Sequence, residues 1–122
     1  MIIRHLTGDS PAMARRATEL LRDADHLLLV DVVIAECVYV LESVYRVRRP
    51  RVAELLRAAI ALPSISVLDT ELLLRALEVY ERHRLQFADA YLVAAAEFSG
   101  IRSIASFDTA LDRVPSVERA VP

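Results

Sequence analysis

The chain has 122 residues, 55% of them apolar, with two glycines, five prolines and one cysteine. That length suits one domain with a sizeable core, and the composition excludes disordered, low-complexity and disulfide-stapled classes. A net charge of −2 gives no general pull toward nucleic acid, so such a partner would need a local basic patch.

Met1 to Leu6 is apolar apart from Arg4 and His5. Thr7 to Pro11 reads as a turn, with Ser10 as cap and Pro11 at the first position of a helix reaching about Asp23 or Asp25. Met13, Ala17, Leu20 and Leu21 form its apolar stripe, and Arg15, Arg16, Glu19 and Arg22 its wet side. His26 to Val30 is a short apolar run, the pattern of a buried parallel strand. Asp31 is the expected cap of a helix from Val32 to about Arg46. Pro50 starts a helix from Arg51 to Ala61, Ile65 to Leu68 is a second strand, and Asp69 caps the helix that follows.

The stretch Phe87 to Asp112 organises the rest. Asp89 opens an apolar helix, Gly100 closes it, a strand runs from Ser103 to Ser106, and Asp108 follows. Val114 to Val121 is a short strand-like tail. Short buried strands alternating with helices predict an α/β fold, a three-layer α/β/α sandwich on a parallel sheet. No linker or repeat divides the chain, so residues 1–122 are expected to form a single domain. The apolar run Leu27 to Leu41 holds Asp31 and Glu36, which argues against a membrane span. The first residues show no basic segment leading into an apolar one, so no signal peptide is expected. With Cys37 as the lone cysteine, the expected compartment is the cytoplasm.

Three acids are candidate site residues. Glu36 has Val32, Val33, Tyr39 and Val40 at helical spacing, so it projects from an apolar face. Its bland role is a rim carboxylate paired with an arginine. Asp89 stands in a first helical turn, where the dipole favours negative charge. Asp108 follows a strand, and its bland role is an N-cap. Asp112, four residues on, is either a fourth acid or a solvated one. Ligands of open α/β sheets sit beyond the carboxyl ends of the strands, and Asp89 and Asp108 can both reach that crevice. Clustered carboxylates repel unless a cation neutralises them, and hard oxygen donors select Mg²⁺ or Mn²⁺. Such a site supports metal-assisted phosphodiester hydrolysis.

Other chemistries lack their residues. His5, His26 and His83 have no metal-ligand spacing, and the two glycines cannot build a phosphate-cradling loop. Cys37 reads as packing, as do Tyr39, Tyr45 and Tyr91. The run Arg46 to Arg51 is a solvated connection or, at most, a contact for a phosphate backbone.

RHLTGDSP, VVIAECVYVLESVY, FADAYLVAAA and SFDTALDRVP, in that order, resemble the PIN-domain ribonucleases, and most of all the VapC toxins of type II toxin–antitoxin systems. The resemblance spans essentially the whole chain. It implies a Mg²⁺- or Mn²⁺-dependent endoribonuclease whose metal is held by Glu36, Asp89 and Asp108, with Ser106 helping to order the site. Arg4, Arg46, Arg48 and Arg49 are the arginines expected to contact RNA. A homodimer and a small antitoxin that blocks the site are implied too. The family also has a central first strand ending in an aspartate. Met1 to Arg4 aligns with the helix after that strand, so the strand and its acid are expected to be absent, and Asp9 and Asp31 are wrongly placed to replace it. Either Met1 is an internal start, or the chain is a truncated form. The second expectation is therefore a non-catalytic binding module that engages antitoxin or RNA.

Overall fold

The computed structural model describes residues 15, 16, 19 and 26–122. Two compact units divide the chain, Met1–Leu68 and Asp69–Pro122. Of the predicted first helix, Arg15, Arg16 and Glu19 are helical and exposed, as its wet side requires. Arg4, Asp9, the apolar run Met1 to Leu6 and the predicted turn from Thr7 to Pro11 lie outside the described residues.

In the first unit, β1 (Leu27–Leu28) pairs in parallel with β2 (Ile65–Ser66). The Leu27 N–H donates to the Ser64 carbonyl at 2.7 Å and the Leu29 N–H to that of Ser66 at 2.8 Å. The predicted strand reached Val30, but the Val30 carbonyl receives the N–H groups of Val33 and Ile34. It therefore starts the next helix and leaves the ladder. That helix, α1 (Asp31–Ser43), has Val30 at its N-cap, so Asp31 is the first helical residue and not the cap.

Helix α1 ends short of the predicted Arg46. Arg46 adopts a left-handed conformation at φ 57°, and the Val47 N–H turns back to the Leu41 carbonyl at 2.9 Å. That return satisfies a carbonyl the helix end would otherwise orphan. Helix α2 (Arg49–Ile60) follows, with Pro50 in its first turn where a missing N–H costs nothing. Ile34, Cys37, Val38 and Leu41 of α1 are buried, as are Val52, Ala53, Leu55, Leu56 and Ala59 of α2. The two helices pack together, and α2 also packs on β2.

The second unit begins with Asp69, whose Oδ1 accepts the Leu72 N–H at 3.1 Å and caps α3 (Thr70–His83) as predicted. Helix α4 (Phe87–Ser99) packs along α3. The interface sets Leu73, Leu77 and Tyr80 of α3 and Phe87 and Val93 of α4 among Ala76, Ala90, Ala94 and Ala96, all buried. Small side chains let the helix backbones approach closely while the large ones fill the gaps. Tyr80 meets Phe87 edge-on, with ring centroids 6.3 Å apart. The same helix pair is tied by charge. Arg75 grips Glu97 through Nε at 2.7 Å and Nη2 at 2.9 Å, and it also reaches Glu78 at 2.6 Å.

Gly100 ends α4 at φ 76°, a conformation other residues adopt only with strain. The chain then forms β3 (Ser103–Ala105), a 3₁₀ turn (Thr109–Arg113) and β4 (Glu118–Ala120). Strands β3 and β4 are parallel, with Ile104 opposite Arg119. Helix α4 packs on β3, and Ile104, Leu111, Val114 and Val117 are buried. The observed class is thus α/β with parallel strands. Among the described residues, no helix is long and apolar enough to cross a membrane.

Candidate functional site

The end of β3 and the start of α4 place two acids side by side. Asp89 stands in the first turn of α4 and is half-buried. Asp108 follows β3 by a short turn and is exposed. The Asp89 carboxyl is pushed above the usual carboxylate range, first by burial and then by its hydrogen bond with Asp108 and by the charge of that neighbour. Burial withdraws water from the anion, and a second carboxylate makes a second charge costlier.

Backbone and hydroxyl groups fix the Asp108 side of the pair. The Asp108 N–H donates to the Ser106 Oγ at 3.0 Å, and the Ala110 N–H donates to Asp108 Oδ1 at 2.9 Å. Asp108 is therefore the N-cap of the 3₁₀ turn, the role its place after a strand suggested, as well as a neighbour of Asp89. The Ser106 N–H in turn donates to the Ala120 carbonyl at 3.0 Å, which ties the turn to β4. Ser106 thus orders Asp108 through the backbone.

Asp112 stands apart from this pair. Its carboxylate receives Arg119 Nε at 3.1 Å and Nη2 at 3.3 Å, a two-pronged ion pair in which Asp112 remains 55% exposed. Arg119 also donates to the Ser106 carbonyl at 3.4 Å. That role was not visible in the sequence, where Arg119 is one charge in a short tail. Its only trace is its central place in the tail's strand-like run.

Glu36 lies on α1 and is exposed. Its apolar neighbours Val32 and Tyr39 are 64% and 69% exposed, so the face it projects from is apolar in composition but open to water. Tyr39 is accordingly not the core residue its spacing suggested, and Tyr45 and Tyr91 are half-buried. Arg46 and Arg48 are exposed in the connection before α2, Arg49 begins that helix, and Arg51 pairs with Glu54. Cys37 is buried, and that burial raises its thiol pKa, which suits packing and not nucleophilic attack.

Among the described residues, no three histidine, cysteine, aspartate or glutamate side chains group closely enough to hold a metal by themselves. The Asp89–Asp108 pair still fits a hard cation. Mg²⁺ is commonly held by one or two carboxylates, with waters and a substrate phosphate completing its shell. Each carboxyl makes the other's charge costlier, and a cation between them offsets that cost.

No curated protein and no solved structure matches the chain. The PIN domain family matches residues 1–117, across both units. PIN domains are generally metal-dependent nucleases, usually with divalent ions. The chain belongs to the PIN domain family.

Proposed function

We propose that this protein is a Mg²⁺- or Mn²⁺-dependent endoribonuclease in which Glu36, Asp89 and Asp108 hold the metal. The observation that carries the reading is the proximity of two carboxyls brought from a helix start and a strand end, which raises the Asp89 pKa. Neighbouring carboxylates repel, and a bound cation offsets that repulsion. A divalent ion there would polarise a phosphate and supply an activated water at neutral pH. The chain's own groups hold Asp108 through Ser106 and Ala110, so one ligand is fixed before any cation arrives. Glu36 enters from the sequence motif, and the exposed Arg46 and Arg48, with Arg49 and Arg4, are proposed to contact the RNA backbone.

The finer reading is a VapC-like toxin that acts in the cytoplasm as a homodimer and is blocked by a small antitoxin. Its fold would be one domain, a three-layer α/β/α sandwich. The motif order FADA and SFD, within the PIN domain match, supports this assignment. The test is RNA cleavage with Mg²⁺ or Mn²⁺ by the wild type and by Asp89→Asn, Asp108→Asn and Glu36→Gln. Loss of cleavage in each variant, with the fold retained, is expected. Full activity in Asp89→Asn overturns the reading.

A second reading is a catalytically impaired module that binds antitoxin or RNA. A thermal melt separates the two, because an ion that binds only the native state raises the midpoint. No shift with Mn²⁺ would favour the binding module.

A further inference from the structure

Phe107 lies between Ser106 and Asp108 and is 73% exposed, the most exposed large apolar side chain among the described residues. A single apolar side chain in water is ordinary by itself. The placement of this one is not. Its Cα is about 3.8 Å from that of Asp108, one peptide away, so the ring and the acid pair share one short turn.

That turn is pinned on both sides of the ring. The residue before it is held by its N–H on the Ala120 carbonyl and by its own carbonyl, which accepts from Arg119. The residue after it is held by its N–H on the Ser106 Oγ and by its carboxylate on the Ala110 N–H. An exposed ring on a fixed backbone has few torsions left to order when something stacks on it. Base–aromatic stacking is sequence-tolerant, because every base presents a π-face, and it requires an unpaired base.

We propose that Phe107 is a base-stacking platform beside the acid pair, and that it holds an unpaired base of a single-stranded RNA next to the phosphate presented to Asp89 and Asp108. The proposal rests on the nuclease reading for the location of the phosphate, and on the ring's exposure and anchoring for the base. Phe107 touches substrate but takes no part in proton transfer, so it sets affinity and strand preference. Duplex RNA, whose bases are already stacked, is disfavoured.

The test is binding of a short unstructured oligoribonucleotide carrying 2-aminopurine, followed by fluorescence, for wild type, Phe107→Ala and Phe107→Trp. A matched strand with abasic sites serves as control, and metal-dependent cleavage is read in parallel. Phe107→Ala is expected to weaken binding by roughly 5- to 150-fold, the span of base–aromatic stacking, while Phe107→Trp binds like wild type. On the abasic strand, wild type and Phe107→Ala should bind alike. The thermal midpoint of Phe107→Ala should stay that of the wild type, since the ring is in water. Equal affinity of Phe107→Ala and wild type for the base-bearing strand overturns the proposal. So does an equal loss on the abasic strand, a change of oligomeric state in place of affinity, or a wild type that does not bind the strand. Binding that depends on Phe107 without any cleavage upholds the platform and removes the nuclease reading instead, so the two failures are distinguishable.

Discussion

Asp89 and Asp108 are close enough that the charge of Asp108 helps to hold the Asp89 carboxyl above the usual carboxylate range, although one residue opens a helix and the other follows a strand. Folding raises the cost of ionising Asp89, because burial and a neighbouring charge both disfavour its charged form. The pair therefore makes the folded protein sensitive to a cation that offsets that charge.

The sign of the pH effect follows. The Asp89 pKa is raised in the folded state, so the native chain binds the proton more tightly than the unfolded chain. Stability declines as pH rises from the ordinary carboxylate range through the raised folded value. In a chelator at neutral pH, Asp89→Asn is expected to melt higher than wild type, because an amide brings no charge into the half-buried position beside Asp108. Mn²⁺ should raise the wild-type midpoint and leave the variant unmoved. A variant that melts lower than wild type in chelator contradicts the account in which burial and the Asp108 charge disfavour ionised Asp89.

Ser106→Ala removes the acceptor of the Asp108 N–H. The expected cost is about 0.5–1.5 kcal/mol in urea unfolding, that of one net hydrogen bond. RNA cleavage should fall while the metal-induced shift persists, since both carboxylates remain.

Asp112→Ala tests a separation within the site region. Asp112 serves an exposed ion pair with Arg119, so its loss should cost about 0.2–1 kcal/mol and leave metal stabilisation intact. Arg119→Ala should cost more, because it also releases the Ser106 carbonyl. Loss of the metal response in Asp112→Ala would instead make Asp112 a ligand.

The α3–α4 tie gives a second pH window. Arg75, and after it Ser116, lowers the Glu97 pKa. A depressed carboxylate contributes stability above its unfolded pKa and loses that contribution as pH falls through the folded value. Glu97→Gln is expected to cost about 1–3 kcal/mol at neutral pH, the worth of charge-assisted bonds that are partly buried. The difference from wild type should shrink as pH drops below the ordinary glutamate range, as measured by denaturation across an acid series.

Gly100→Ala isolates backbone strain. A Cβ built at Gly100 meets nothing within 4 Å, so only the positive φ opposes it. A loss of about 1–2 kcal/mol is expected, with α4 and β3 otherwise unchanged. A larger loss would mean a steric contact that the native backbone does not show.

Elements whose causes are local were legible in the sequence. Asp69 and Asp108 cap because a short carboxylate reaches nearby N–H groups, and Gly100 ends α4 because it lacks a Cβ. Boundaries set by competition were not legible. Whether Val30 belongs to a strand or caps a helix depends on which backbone groups claim its carbonyl, and the left-handed turn at Arg46 left no mark in an arginine-rich run.

For the site, the sequence by itself determined which acids to consider, because carboxylates at element ends and on apolar faces are rare without a partner. It left Asp89 and Asp108 with bland roles as good as the functional one, and Asp112 as either ligand or solvated charge. Only tertiary structure shows that Asp89 and Asp108 are neighbours and that Asp112 pairs with Arg119. Proximity of carboxyls, and the choice of Asp112 for Arg119, are set by how α4, β3 and β4 pack, which no spacing along the chain records.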